Sequence, residues 1–128
     1  MNLPGGIDAY FQLINDILTN SPVIKSQDIF AEKRTLTEGY LRANVLFANG
    51  SQLHFRELIT TEPIVQRISY TYHYQHADGT ILFRYDNAPH FPNLPNAPHH
   101  KHVGESNVIA SEPPDIQSVL NEIEALIG

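Results

Sequence analysis

Two dipeptides, Asn49-Gly50 and Asp78-Gly79, restrict the folds open to this chain more than any other feature. Both residue types in each pair tolerate positive φ, so each pair marks a tight turn between antiparallel strands. Around the first, residues 40–58 hold two apolar-rich runs. A two-residue loop there puts Leu46 opposite Leu53 and Arg42 opposite Glu57, a cross-strand ion pair. Residues 67–86 repeat the pattern around the second, with Tyr74 facing Phe83, Tyr72 facing Tyr85 and His73 facing Arg84. Residues 23–35 are a weaker strand candidate.

The ends of the chain switch to helical periodicity. Ile7, Tyr10, Phe11, Ile14, Ile17 and Leu18 predict an amphipathic helix over 6–19, with Pro4-Gly5-Gly6 before it and Asn20-Ser21-Pro22 after it. Ile116, Val119, Leu120, Ile123, Leu126 and Ile127 predict a second helix. Ser111 to Pro114 supply its cap and first-turn proline, and Asp115 suits its positive N-terminus. Each helix has one apolar face to bury, and a sheet is the expected partner. The expected fold is α+β, an antiparallel meander of about five to six strands with an N-terminal and a C-terminal amphipathic helix.

The composition agrees with that architecture. A chain of 128 residues suggests a single α+β domain over 1–128 that needs no metal or disulfide staple. The absence of cysteine excludes disulfides, thiolate nucleophiles and Cys-type zinc sites. No apolar run approaches the roughly 20 residues needed to cross a bilayer, and MNLPGGIDAY lacks a signal-peptide layout. The expected address is the cytoplasm, with no membrane partner. A net charge of −6 argues against a generic nucleic-acid coat but leaves room for a local basic site. Residues 84–104 stand apart, with Arg84 and Lys101 against one acid, Asp86, and four of the seven histidines.

Pleat alternation sorts the second hairpin. One face receives Ile68, Tyr70, Tyr72, Tyr74, Ile81, Phe83 and Tyr85; the other receives Thr71, His73, Gln75, Leu82, Arg84 and Asp86. The aromatic face reads as core, with a base-stacking platform as the alternative. The polar face is either solvated surface or a set of acid, base and imidazole in adjacent pairs.

Prolines fall at 89, 92, 95 and 98, the three-residue repeat of a polyproline II helix. Phe91, Leu94 and Ala97 then line one edge and pack onto the sheet. His90, Asn93, Asn96 and His99 line another and are candidate binding residues. Neighbours on that edge stand roughly 9 Å apart, too far to share one metal ion. A proline-groove ligand and a stiff crossover are the alternative uses.

His99-His100-Lys101-His102 is the densest chemical signal. In an extended strand His100 and His102 share one face, and His99 and Lys101 the other. Imidazoles with Arg84 and Lys101 could cleave RNA. One His takes the 2′-OH proton, another protonates the leaving oxygen, and the cations stabilise the phosphorane charge. Neutral imidazoles with Asp86 could instead ligate a divalent ion, although no recognised metal spacing is present. A strand whose histidines only hydrogen-bond is the third account.

The run Tyr74 to Gly104 resembles the TumE family, toxin components of type II toxin–antitoxin pairs. The likeness is carried by Asp78-Gly79, by Phe83 to His90 and by Pro98 to Gly104. It extends to Glu38 to Arg42, the Asn49-Gly50 hairpin and the segment after Pro113-Pro114. The resemblance implies a small toxin encoded beside a helix-turn-helix antitoxin that blocks it. It supplies no catalytic residues.

The reading chosen is a toxin acting as a metal-independent ribonuclease, with no cofactor and no metal ligand assigned. Arg84 and Lys101 hold the scissile phosphate; His73, His100 and His102 are the candidate base and acid. Asp86 orients an imidazole or anchors the following loop. The expected partners are the antitoxin and RNA, and apolar faces on both sides of the sheet leave room for a homodimer. A non-catalytic interaction module and a divalent-metal hydrolase on Asp86 and the histidines are the alternatives.

Overall fold

The computed structural model describes residues 6–128. The helix α1 spans Gly6–Thr19, and Pro4 and Gly5 of its expected start lie outside the described residues. Seven strands follow: β1 Ile24–Lys33, β2 Glu38–Phe47, β3 Gln52–Thr60, β4 Gln66–Gln75, β5 Ile81–Asp86, β6 His100–Val103 and β7 Asn107–Ala110. The helix α2, Ile116–Ile127, completes the chain. The strands form one antiparallel sheet in the order β1 to β7, so each pairs with its sequence neighbours. The expected α+β meander with two terminal helices is present, with seven strands instead of five to six. The surplus is β7, whose four residues are too few to show an alternation pattern. Among the described residues, no helix is long and apolar enough to cross a membrane.

Both helices pack on the same face of the sheet. Ile7, Ile14 and Leu18 of α1 and Val119, Leu120 and Ile123 of α2 join Leu41, Phe47, Leu53, Phe55, Tyr72 and Tyr74 in one core. Asp115 caps α2 by accepting from the Ser118 amide at 2.8 Å, while Ser118 Oγ accepts from the Asp115 amide at 3.1 Å. This reciprocal cap satisfies two backbone donors that a bare helix start leaves unpaired.

The first hairpin is one residue out of the expected register. Val45 faces Leu53 and Arg42 faces Arg56, because the loop encloses three residues. Its closing bond runs from Phe47 N–H to Ser51 C=O at 2.9 Å, with Gly50 at φ 87. A three-residue loop ending in a left-handed glycine is the next most common hairpin form after the two-residue loop. Ser51 fixes the choice: it is 2% exposed and its hydroxyl sits 2.7 Å from Tyr74 Oη. A slip of one residue sends every side chain of the partner strand to the opposite face. The expected Arg42–Glu57 ion pair is therefore absent. Arg42 and Arg56 oppose each other on the open face, and Glu57 turns into the core.

Glu57 is 1% exposed and is met by two tyrosine side chains. The hydroxyls of Tyr10 and Tyr72 both donate to its carboxylate, and Arg67 Nη1 donates to Tyr72 Oη at 2.8 Å. Burial raises the Glu57 pKa above its ordinary value, against the opposing pull of those hydroxyls and of Arg67.

The second hairpin has the expected register, with Tyr72 facing Tyr85, His73 facing Arg84 and Tyr74 facing Phe83. Near the turn a register shift pairs Gln75 with Ile81 and leaves Leu82, expected on the polar face, packed against the core. Ile68 also departs from the expected faces. A bulge where β4 meets Leu58 and Ile59 leaves it outside the ladder and 48% exposed.

Residues 87–99 are not a polyproline II segment. Leu94 N–H bonds Phe91 C=O, Ala97 N–H bonds Leu94 C=O and His99 N–H bonds Asn96 C=O. Polyproline II has no such internal bonds. The repeated Pro-Asn pairs explain the difference: proline presets the second position of a β-turn, and asparagine suits the third. Asn96, at φ 64, occupies that position in left-handed backbone.

Because the folded-state Glu57 pKa is raised, the folded chain keeps a proton that the unfolded chain releases above about pH 4.5. Its contribution is fullest below that pH and is lost as pH rises through the raised value. Urea unfolding across pH should show this loss in the wild type and not in Glu57→Gln. Glu57→Leu, which removes the acceptor of two buried tyrosine hydroxyls, should cost on the order of 3 kcal/mol.

Candidate active site

The open face of the sheet is organised by register into two rows that cross the strands. One row reads Asp28, Asn44, His54, His73, Arg84, His102; the other reads Phe30, Arg42, Arg56, Thr71, Asp86, His100. Strands lie about 4.8 Å apart, so residues adjacent in a row are neighbours.

Asp86 is the centre of the arrangement. Its carboxylate is 5% exposed, and the chain turns that follow β5 cover it. Oδ1 accepts from the Ala88 amide at 3.0 Å and lies 2.9 Å from His100 Nε2. Oδ2 lies 3.1 Å from Arg84 Nε and 3.9 Å from His102 Nε2. An unpaired buried carboxylate is costly, so three groups that can carry positive charge converge on this one.

The contacts with His100 and Arg84 are close but poorly directed. Both nitrogens are buried, and neither makes a hydrogen bond. His100 Nδ1 is 2.9 Å from Pro98 C=O, which can only accept, so Nδ1 carries a proton. His100 Nε2 therefore faces Asp86 either as an imidazolium N–H or as a lone pair that needs a cation between the two. Phe91 closes over the pair, with its ring edge-on to His100 at 4.9 Å and to His102 at 5.8 Å.

The outer part of the site is open. The His102 side chain is 27% exposed and Arg84 41%. Burial holds the His102 pKa below its ordinary 6.5; Asp86 opposes this, while the charges of His100, Arg84 and His90 reinforce it. On the other side of Arg84, His73 Nε2 is 3.0 Å from Gln75 Oε1. That amide oxygen accepts, so Nε2 bears a proton and Nδ1 is free.

Five of the sequence candidates, His73, Arg84, Asp86, His100 and His102, thus share the open face. Lys101 does not, which corrects its pairing with Arg84. It alternates to the helix-covered face, bonds Glu122 of α2 at 2.8 Å and stands 4.8 Å over the Tyr85 ring. His99 points the same way, with its Nδ1 2.8 Å from Tyr70 Oη. Asn96 donates to Glu112 at 2.9 Å, while His90 and Asn93 are exposed. The turns disperse these four residues, so they do not line one edge. The sequence reading did not include Arg42, His54 and Arg56 among the site residues; the first-hairpin register brings them into the rows, beside Thr71 of the polar face. His54 is held at both ring nitrogens, by Asn44 at 2.6 Å and Gln52 at 3.2 Å.

Asp86, His100 and His102 are also the residues that could hold a metal, since their ligand atoms lie within 4.8 Å of one another. Two imidazoles and a carboxylate suit a divalent transition metal, and Pro98 C=O orients the first ring as such ligands require. The Arg84 guanidinium works against a cation at that position.

Asp86→Ala, which leaves the buried His100 without its carboxylate partner, should lower unfolding stability by about 3 kcal/mol. Lys101→Ala, measured by the same denaturant titration, should cost about 1 kcal/mol and leave toxicity intact. Lost toxicity in a folded Lys101 variant would return that residue to the site.

No curated relative and no solved structure matches the chain. The family described as Toxin TumE matches residues 11–127. That span takes in every strand, all of α2 and α1 from Phe11 onward, and the chain belongs to the TumE toxin family.

Proposed function

We propose that this toxin is a metal-independent ribonuclease, in which Arg84 holds the scissile phosphate between His73 and His102. The observation that carries the reading is the order of one row across β4, β5 and β6: imidazole, guanidinium, imidazole. Two strand spacings separate the outer pair by about 10 Å, with the phosphate-binding group midway. A phosphodiester on Arg84 then has one ring on each side.

His102, with its lowered pKa, is neutral at neutral pH and serves as the base that takes the 2′-OH proton. The 2′ oxygen attacks phosphorus, the doubly protonated form of His73 gives its Nδ1 proton to the departing 5′ oxygen, and the products carry a 2′,3′-cyclic phosphate and a 5′-hydroxyl. Arg84 stabilises the charge that builds on the phosphorane. Asp86 and His100 are too buried to touch substrate and act as positioning residues for Arg84 and His102. Membership of a toxin family implies an antitoxin partner; a helix-turn-helix form for it and action in the cytoplasm belong to the same proposal.

A second reading, a divalent-metal hydrolase on Asp86, His100 and His102, is favoured by the buried His100 Nε2 that lacks a hydrogen bond. The two readings separate in one assay. Purified protein should cut RNA equally with and without EDTA. His102→Ala and Arg84→Ala should each reduce cleavage by about 10²–10⁴-fold. The acid limb of kcat/KM should have its midpoint below 6.5, the ordinary histidine value. Activity lost to EDTA and restored by a divalent ion would select the metal reading. Intact RNA alongside growth arrest would select a non-catalytic interaction module.

A further inference from the structure

The open face continues beyond the proposed reacting groups towards β1. Arg42 and Arg56 stand directly opposite each other there, and neither has an ion-pair partner among the described residues. Like charges directly opposed across strands destabilise a sheet, and a bound anion relieves them. They line a groove of about 340 Å³ that also meets His73 and Arg84. A second hollow, of about 460 Å³, shares Arg56, Thr71 and Arg84 with it and reaches Asp86. In the two rows from β2 to β6 the sole carboxylate among the described residues is Asp86, already surrounded. In a chain of net charge −6, this is a local reversal of sign.

An aromatic step ends the path. Phe30 is 45% exposed, with the Arg42 guanidinium 5.0 Å over its ring and the Tyr40 ring 6.4 Å away. Arg34 covers Tyr40 at 4.9 Å and pairs with Glu32 at 2.9 Å. Phe30 is four strand spacings from Arg84, about 19 Å, so the path is longer than one nucleotide.

We infer that this face carries a second subsite for single-stranded RNA, with Arg42 and Arg56 on a phosphate and Phe30 stacking a base beside Tyr40. A single strand can turn its bases onto an aromatic ring, whereas a duplex hides their faces. The inference deepens the ribonuclease reading by naming the form of its substrate, but the binding step does not depend on cleavage.

Fluorescence anisotropy with a labelled 2′-O-methyl oligoribonucleotide of about ten nucleotides tests it, because that probe cannot be cut by attack of a 2′-OH. The single strand should bind more tightly than the same sequence annealed into a duplex. Phe30→Ala should weaken binding about ten-fold, and Phe30→Trp should restore it. Arg42→Gln with Arg56→Gln should weaken binding and lower the salt slope by one to two phosphate contacts, about 0.7–1.4 units for a single strand. Equal binding by all variants, a preference for duplex, or no RNA binding would overturn the subsite; the last would assign the face to a protein partner. Cleavage of unmodified RNA, run in parallel, reports on the ribonuclease reading separately.

Discussion

A buried carboxylate cannot stand alone, and Asp86 sets what the residues around it must be. At 5% exposure its charge needs neutralising groups, and β5 and β6 supply them from one pleat face: Arg84 two residues back, His100 opposite, and His102 one step along. The turns of residues 87–99 follow from the same requirement. They begin with the Ala88 amide on Asp86 Oδ1 and return to bring Phe91 against both histidine rings. That cover divides the group into a sealed pair, Asp86 with His100, and two accessible members, Arg84 and His102. The division separates groups that position from groups able to meet a ligand.

Much of this was readable because pleat alternation is local. Two-residue periodicity placed Arg84, Asp86, His100 and His102 on compatible faces, and the Asp78-Gly79 turn gave the correct partners for Tyr72, His73 and Tyr74. The helices were equally legible from their stripes. Lys101 was legible too, since alternation alone sends it away from its two histidine neighbours. Assigning it to the phosphate beside Arg84 runs against that geometry, and Glu122 shows where the lysine's charge goes instead.

What could not be read depended on a single loop residue or on distant packing. An Asn-Gly pair fits a two-residue turn or the end of a three-residue one, and Ser51 decides only through its contact with Tyr74, 23 residues away. That decision replaced an ion pair with the Arg42–Arg56 opposition and sent Glu57 to Tyr10 and Tyr72. The four prolines were ambiguous in the same way. Three-residue spacing suits both polyproline II and a chain of turns, and the asparagine after Pro92 and Pro95 was the local signal for turns.

The proposed chemistry rests on one geometric claim: a phosphodiester seats on Arg84 with His73 and His102 on either side. Long-range proton–nitrogen NMR of the histidine rings, during titration with a 2′-deoxy dinucleotide, tests that claim directly, since this ligand keeps the phosphodiester but lacks the attacking hydroxyl. The account predicts that His73 and His102 ring nitrogens shift together and saturate together, while His99, on the opposite face beside Tyr70, does not move. Shifts confined to His99, or none in His73 and His102 at saturating ligand, would contradict it.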